Sequence, residues 1–212
     1  MGNEKTKWWE KTVEYQFVLD NYQKFSLIAP LDGNHEKGTS DTIAGQDNKF
    51  ILIEFKRDAS SQQAEFAKFQ KRNPDKTKDN ILTEFQKCLL HKCHFIIYAQ
   101  LEESRLKLYY QNYLDYLNSN SEENSYKSYD EMFEYAVGIT DFLAYLDKLQ
   151  QSRNGSDGKD ASSSSFANVL VLDNKGNCQT ITEFQQQQLE KNQQLNNKQQ
   201  NTISTNTPKP KI

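Results

Sequence analysis

The chain has 212 residues, a net charge of −3 and 35% hydrophobic residues, which allows one domain of ordinary size with additional segments. Its slight negative charge gives no overall basic excess of the kind that marks a general nucleic-acid binder, although Lys and Arg outnumber Asp and Glu between Lys56 and Lys107. Three cysteines are too few for a disulfide framework, and no apolar run approaches ~18 residues. We therefore expect a cytoplasmic protein without a membrane span.

The N-terminal part of the chain predicts one helix followed by three strands. Apolar residues at three- and four-residue spacing predict a helix over 8–22, and a short apolar run predicts a strand over 25–29. Two further strands, 39–45 and 49–56, flank Gln46-Asp47-Asn48. Asp and Asn tolerate the positive φ angles of tight hairpin turns, so these two strands are expected to pair.

The rest of the domain alternates between helical and strand patterns. Helices are predicted over 59–73, 79–92 and 129–151, strands over 94–100 and 106–113, and a polar loop over 119–128. The sequence therefore predicts an α/β domain over 1–151, with a mixed central sheet flanked by helices.

The C-terminal quarter differs in composition from this domain. Residues 152–165 are rich in Ser and Gly and predict a flexible linker, and 166–184 predict a small β-hairpin appendage. Residues 185–212 are rich in Gln and Asn and have little apolar surface to bury, so this tail is expected to be disordered.

Two charged residues follow each other closely in the most apolar strand. The run Phe50–Phe55 is apolar on both faces, as in a buried central strand, yet Glu54 and Lys56 share one of these faces. A two-residue turn at Asp47-Asn48 would place Asp41 directly opposite Glu54. A four-residue loop would keep Asp41 on the same face, and only an odd-length loop or a bulge would separate them.

Two neighbouring carboxylates on paired strands repel each other, and a divalent cation reverses the sign of that effect. We therefore interpret Asp41 and Glu54 as metal ligands. The alternative is that Glu54 and Lys56 form an ion pair on an exposed edge strand. Glu14 lies between two apolar stripes of the first helix, where it either faces the same site or occupies a helix edge with its charge in water.

This pattern resembles the core of the PD-(D/E)XK nuclease superfamily, which includes many restriction endonucleases and Holliday-junction resolvases. The resemblance covers roughly residues 8–113 and implies a restriction-endonuclease-like fold. It matches Asp41 to the aspartate of the motif, Glu54 and Lys56 to its E-x-K, and Glu14 to the glutamate that many members carry on the first helix.

One feature of the sequence departs from the motif. Asp41 follows Ser40 rather than the proline of the motif, which many members also lack. Asp32, two residues after Pro30, is a rival candidate for the same position.

The resemblance implies hydrolysis of DNA phosphodiester bonds with Mg²⁺ or Mn²⁺. Asp41, Glu54 and the main-chain carbonyl of Phe55 would hold the ion, Glu14 would support a second ion or a ligating water, and Lys56 would orient the attacking water. It also implies a role in restriction or anti-phage defence, and a homodimer. Two alternatives remain: a catalytically inactive DNA-binding or assembly subunit of the same fold, and a protein-interaction module that uses the tyrosine-rich region and the tail.

Residues after the motif are candidates for contact with the substrate. Gln62 and Gln63 open the following helix, where some relatives carry a glutamine that touches the site. Basic residues cluster in the same region and would contact phosphates, or form only a solvated face: Arg57, Lys68, Lys71, Arg72, Lys76 and Lys78.

The short Cys- and His-bearing run Cys88–His94 also invites a zinc interpretation. Its spacing differs from that of the common structural zinc sites, so buried cysteines are the expected outcome.

Overall fold

The computed structural model describes residues 7–32, 36, 38–71, 73–118, 125–154, 166, 169–173 and 175–204. The helices are α1 (Glu10–Asn21), α2 (Gln62–Gln70), α3 (Lys78–Lys87), α4 (Tyr113–Asn118), α5 (Tyr129–Phe133), α6 (Ile139–Asn154) and α7 (Ile181–Ser204). The strands are β1 (Leu27–Pro30), β2 (Thr42–Gln46), β3 (Lys49–Phe55), β4 (His94–Glu102), β5 (Arg105–Asn112), β6 (Ser125–Tyr126), β7 (Val137–Gly138), β8 (Leu170–Asp173) and β9 (Cys178–Thr180). Short 3₁₀ turns lie at Ala59–Ser61 and Leu89–Cys93.

These strands form one mixed sheet in the order β6-β5-β4-β3-β2-β1-β8-β9, with β7 pairing with β3 beside this path. β1, β2 and β3 follow one another antiparallel, whereas β3 and β4 are parallel and are connected through α2 and α3. The remaining described pairs are antiparallel. The predicted α/β class with a mixed, helix-flanked sheet is confirmed. In the part of the chain that the structure describes, no helix is long and apolar enough to cross a membrane.

The hairpin between β2 and β3 has the two-residue turn that the sequence predicts. Asp47 and Asn48 have φ angles of 49° and 65°, and the register pairs Thr42 with Ile53. The same register, continued by one residue, sets Asp41 opposite Glu54. Because side chains alternate along a strand, the turn places both carboxylates on one face of the sheet.

β3 is buried on both faces, as predicted. On one face Leu52 belongs to a core formed with α2, α3, α4 and α6. On the other face Ile51, Ile53 and Phe55 pack beneath α1, where the Phe55 and Phe17 rings lie 5.5 Å apart. The strand therefore carries Glu54 between two hydrophobic layers.

Asp58 turns the chain out of β3 and into α2. Its side chain accepts a hydrogen bond from the Ser60 N–H at 3.0 Å and caps the 3₁₀ turn that precedes the helix. α2 consequently starts close to the end of β3 and packs along the face that carries Glu54.

Two elements in the middle of the chain differ from the prediction. The polar loop predicted over 119–128 includes strand β6, and 119–124 lie outside the described residues. The helix predicted over 129–151 is divided into α5 and α6 by β7, where Val137 pairs with Phe50. Gly138 weakens a helix and the β-branched Val137 suits a strand, so pairing with β3 outweighs the helical periodicity.

The C-terminal elements also differ from the prediction. The hairpin predicted over 166–184 forms as β8 and β9, but it extends the main sheet through pairing of β8 with β1 and is not an appendage. The tail predicted to be disordered continues helix α7, whose first turn packs Ile181 and Phe184 into the core and whose Gln, Glu, Lys and Leu residues favour a helix. The last turn of α6 occupies the start of the predicted linker, and 155–165 and 205–212 lie outside the described residues.

Candidate active site

Glu54 and Lys56 lie where β3 ends, next to the parallel strand β4. The Glu54 side chain is 1% exposed and the Lys56 side chain is 8% exposed. β3 is flanked by β2 and β4 along the sheet. Glu54 and Lys56 do form an ion pair, but the alternative that places it on an exposed edge strand is wrong.

The Lys56 ammonium is surrounded by carboxylates from three elements. Its Nζ atom lies 2.6 Å from Glu54 Oε1, 3.1 Å from Glu65 Oε1 on α2 and 3.7 Å from Glu10 Oε1 on α1. Burial lowers the pKa of Lys56, but the charges of Glu54 and Glu65 raise it well above its usual value. Lys56 is therefore a fixed positive charge.

Glu54 is held as an anion by two lysines. Its Oε1 atom accepts hydrogen bonds from Lys56 and, at 2.5 Å, from Lys68 Nζ on α2. Burial raises the pKa of Glu54, yet Lys68, Lys56 and the more distant Arg153 hold it well below the usual range. Among the described residues, no hydrogen-bond partner reaches Oε2 of Glu54.

Asp41 lies beside Glu54 at the start of β2. Its N–H donates to the Ile53 carbonyl at 3.1 Å, and its Oδ2 accepts from the Phe55 N–H at 2.6 Å. Burial and the negative charge of Glu54 raise the pKa of Asp41 to about 8, because the lysines offset these two effects only in part. The lysines thus compensate the charge of Asp41 less fully than that of Glu54.

A second group of buried residues, which the sequence pattern did not identify, lies behind Asp41, Glu54 and Lys56. Glu65 is completely buried, and its Oε2 accepts from the Tyr113 hydroxyl at 2.6 Å. Arg153 Nη2 donates to the same hydroxyl at 2.8 Å, while Nη1 donates to the Thr39 carbonyl. Glu65 stands three residues before Lys68, a spacing that puts both on one helix face and was a usable signal.

The remaining predicted catalytic residue, Glu14, lies on α1. Glu14 pairs with Lys11 at 2.6 Å, so Glu10 is the α1 carboxylate that approaches Lys56. The hydrogen bond to Glu14 raises the pKa of Lys11.

Most of the candidate substrate contacts do not reach the carboxylates. The Gln62 amide donates to the carbonyls of Tyr116 and Leu117 at 2.7 and 2.8 Å, which occupies it in closing the end of α4. Arg57 pairs with Asp58. Lys76 pairs with Glu84 at 2.6 Å and its side chain is largely buried, while Arg72 lies outside the described residues. Four further candidates are exposed: Gln63, Lys71, Lys78 and the rival aspartate Asp32. Of the basic cluster, Lys68 alone is shown within the carboxylate group in the described part of the chain.

The zinc interpretation gains no support from the described residues. Both ring nitrogens of His94 are engaged, with Ser40 Oγ at 2.8 Å and the Tyr145 hydroxyl at 2.7 Å. No group of three or more His, Cys, Asp or Glu side chains in the described ranges is arranged to hold a metal ion. The Ser40–His94 contact is itself fully buried, so it has no access to a substrate.

The charges and the free oxygens of the site decide how well it fits a divalent cation. Three cations, Lys56, Lys68 and Arg153, accompany the three carboxylates of Asp41, Glu54 and Glu65, so the paired carboxylates do not by themselves require a metal ion. Two observations still favour one: Oε2 of Glu54 is buried without a hydrogen bond, and the pKa of Asp41 is raised. These oxygens, with the Phe55 carbonyl and water, form the donor set that Mg²⁺ prefers.

Comparison with protein-family models, with curated proteins and with solved structures finds no match for the chain.

Proposed function

We propose that this chain is a metal-dependent endonuclease of the PD-(D/E)XK type, which hydrolyses phosphodiester bonds in DNA. The convergence of Asp41, Glu54 and Lys56 at the end of β3 carries the proposal. The order of α1, the β1–β3 hairpins, the helices α2 and α3, and the parallel strand β4 supports it, since the resemblance rests on that order.

In this proposal Asp41 and Glu54 hold one Mg²⁺ together with the Phe55 carbonyl. A bound ion would acidify a water and stabilise negative charge on the phosphate. Lys56, which is fixed by Glu54, Glu65 and Glu10, would orient the attacking water. Glu14, which pairs with Lys11, would support a second ion or a ligating water.

In this proposal Lys68 contacts the substrate phosphate. Its side chain is 30% exposed, against 8% for Lys56, so Lys68 covers the solvent side of Glu54. A phosphate that approaches the carboxylates encounters this ammonium first. Lys68 can then move from Glu54 to the phosphate and still be paired with an anion.

Cleavage of plasmid and linear DNA with Mg²⁺ or Mn²⁺ tests the proposal. The wild-type chain is compared with Glu54→Ala, with Lys56→Ala and with Lys148→Ala, whose side chain is exposed on α6. We expect metal-dependent cleavage by the wild type and by the α6 control, and its loss in the two site variants. Equal activity in all four preparations would mean that another site, or a contaminant, cuts the DNA.

A catalytically inactive DNA-binding member of the same fold is the second candidate. It is favoured by the ion pairs of Lys56 and Lys68 with Glu54, which balance this carboxylate without a metal. DNA binding that is unchanged by EDTA, with no cleavage in Mg²⁺ or Mn²⁺, would select this alternative.

A further inference from the structure

We propose that Arg153, in the last turn of α6, is a positioning residue that holds both halves of the site in register. It fixes the segment that leads into Asp41, and it orients Glu65, which in turn holds Lys56. The inference rests on the proposed function and extends it, because Arg153 lies well beyond the segment 8–113 that carries the resemblance.

The surroundings of Arg153 are those of a buried connector. The residue is 2% exposed, and its guanidinium donates to the Thr39 carbonyl and to the Tyr113 hydroxyl. The guanidinium carbon lies 5.1 Å from the centre of the Phe69 ring and 5.7 Å from that of Tyr113. A buried charge is costly unless it is paired and hydrogen-bonded, so these contacts must form together.

The first branch of the connector reaches Asp41 through the main chain. Thr39, which offers its carbonyl to Arg153, stands two residues before Asp41. Ser40 between them contacts His94, and the Asp41 N–H bonds to Ile53. Three consecutive residues before β2, Thr39, Ser40 and Asp41, are thus each held by a hydrogen bond, and Arg153 supplies the one from α6.

The second branch reaches Lys56 through side chains. Tyr113 accepts a hydrogen bond from Arg153 and donates one to Glu65 Oε2, which leaves Glu65 Oε1 directed at Lys56, 3.1 Å away. Arg153 also lies 3.7 Å from Glu65. The orientation of the Glu65 carboxylate, and hence of the Lys56 ammonium, therefore depends on this chain of contacts.

Arginine is suited to this position by the geometry of its donors. The guanidinium is a planar fork that bonds two groups in fixed directions at once, whereas a lysine ammonium is a point charge on a flexible stem. Arg153→Lys therefore keeps the positive charge and gives up simultaneous contact with Thr39 and Tyr113. Tyr113→Phe cuts only the second branch, since it leaves the Thr39 contact in place.

The test uses the full chain and measures Mn²⁺ affinity by calorimetry, kcat and KM for DNA cleavage, and thermal unfolding. We expect Arg153→Lys to weaken Mn²⁺ binding about 10–100-fold, the usual effect of removing a group that orients a ligand. Tyr113→Phe should lower kcat with Mn²⁺ affinity close to that of the wild type. Lys148→Met, on the exposed side of the same helix, should change neither quantity.

Each outcome decides the inference. Unchanged Mn²⁺ affinity in folded Arg153→Lys would overturn the first branch, and unchanged kcat in Tyr113→Phe would overturn the second. If Arg153→Lys does not fold, Tyr113→Phe still decides between a structural and a positioning role, because only positioning lowers kcat at unchanged KM and stability. A wild-type chain that takes up no Mn²⁺ contradicts the proposed function itself, and the inference with it.

Discussion

Replacing Asp41 with asparagine keeps the shape of the side chain and removes its titration. In the folded chain, burial and the charge of Glu54 raise the pKa of Asp41 from 3.8 to about 8. Between these two pH values the folded chain holds a proton that the unfolded chain has lost. The stability that this proton provides is complete below about pH 4 and is lost as the pH rises through about 8. Asp41→Asn has no titrating group at this position, so its free energy of unfolding does not fall in this way.

The size of the effect follows from the difference between the two pKa values. At about 1.4 kcal/mol for each pH unit, the full difference corresponds to roughly 5–6 kcal/mol. Solvent reaches part of the Asp41 side chain and screens its interactions, so we expect about 3 kcal/mol. Without metal, Asp41→Asn should match the wild type near pH 4 and exceed its free energy of unfolding by about 3 kcal/mol at pH 9.

Urea denaturation in EDTA between pH 4 and pH 9 measures this difference, with Asp75→Asn in an exposed turn as the control. Addition of Mg²⁺ at pH 9 should then stabilise the wild type, by about 2.7 kcal/mol at a hundred times the dissociation constant, and should stabilise Asp41→Asn much less. A wild type whose stability relative to the variant stays constant, or increases toward alkaline pH, would refute the reasoning about Asp41.

Three further predictions separate roles within the site. Lys68→Met should weaken DNA binding in Ca²⁺ and reduce the slope of log affinity against log salt by about one, whereas Lys148→Met should leave the slope unchanged. Lys56→Met should destabilise the fold by about 3–5 kcal/mol in urea, since it removes one partner of a buried ion pair, and adding Glu54→Gln should restore part of the loss; a double variant no more stable than the single one contradicts the pairing. Gln62→Ala should cost about 1 kcal/mol of stability and leave DNA affinity unchanged, and a selective loss of affinity would instead make Gln62 a substrate contact.

The part of the site that local sequence decides could be predicted. The turn at Asp47-Asn48 fixes the register of β2 and β3, and the register fixes the common face of Asp41 and Glu54. The apolar run of β3 likewise identifies a buried central strand, because no exposed strand needs apolar side chains on both faces. In both cases a few adjacent residues determine the local structure.

The groups that compensate these charges could not be predicted in the same way. Glu65 and Arg153 reach the site only because α2 and α6 pack on one face of the sheet, which depends on contacts between residues far apart in the chain. The break before α6 has the same origin, since Val137 joins β3 through pairing with Phe50. The sequence also predicted the repulsion between the two carboxylates, but not Lys68, one turn along α2 from Glu65, which offsets this repulsion in part.

Anomalous diffraction from crystals grown with Mn²⁺ tests whether Asp41 and Glu54 share a divalent cation. We expect an anomalous peak about 2 Å from one oxygen of each carboxylate, with the Lys68 ammonium no longer on Glu54 Oε1. Crystals of Asp41→Asn should lack this peak. A wild-type map with no peak between these two side chains at saturating Mn²⁺, and with Lys68 still bonded to Glu54, would show that the two carboxylates do not share a cation.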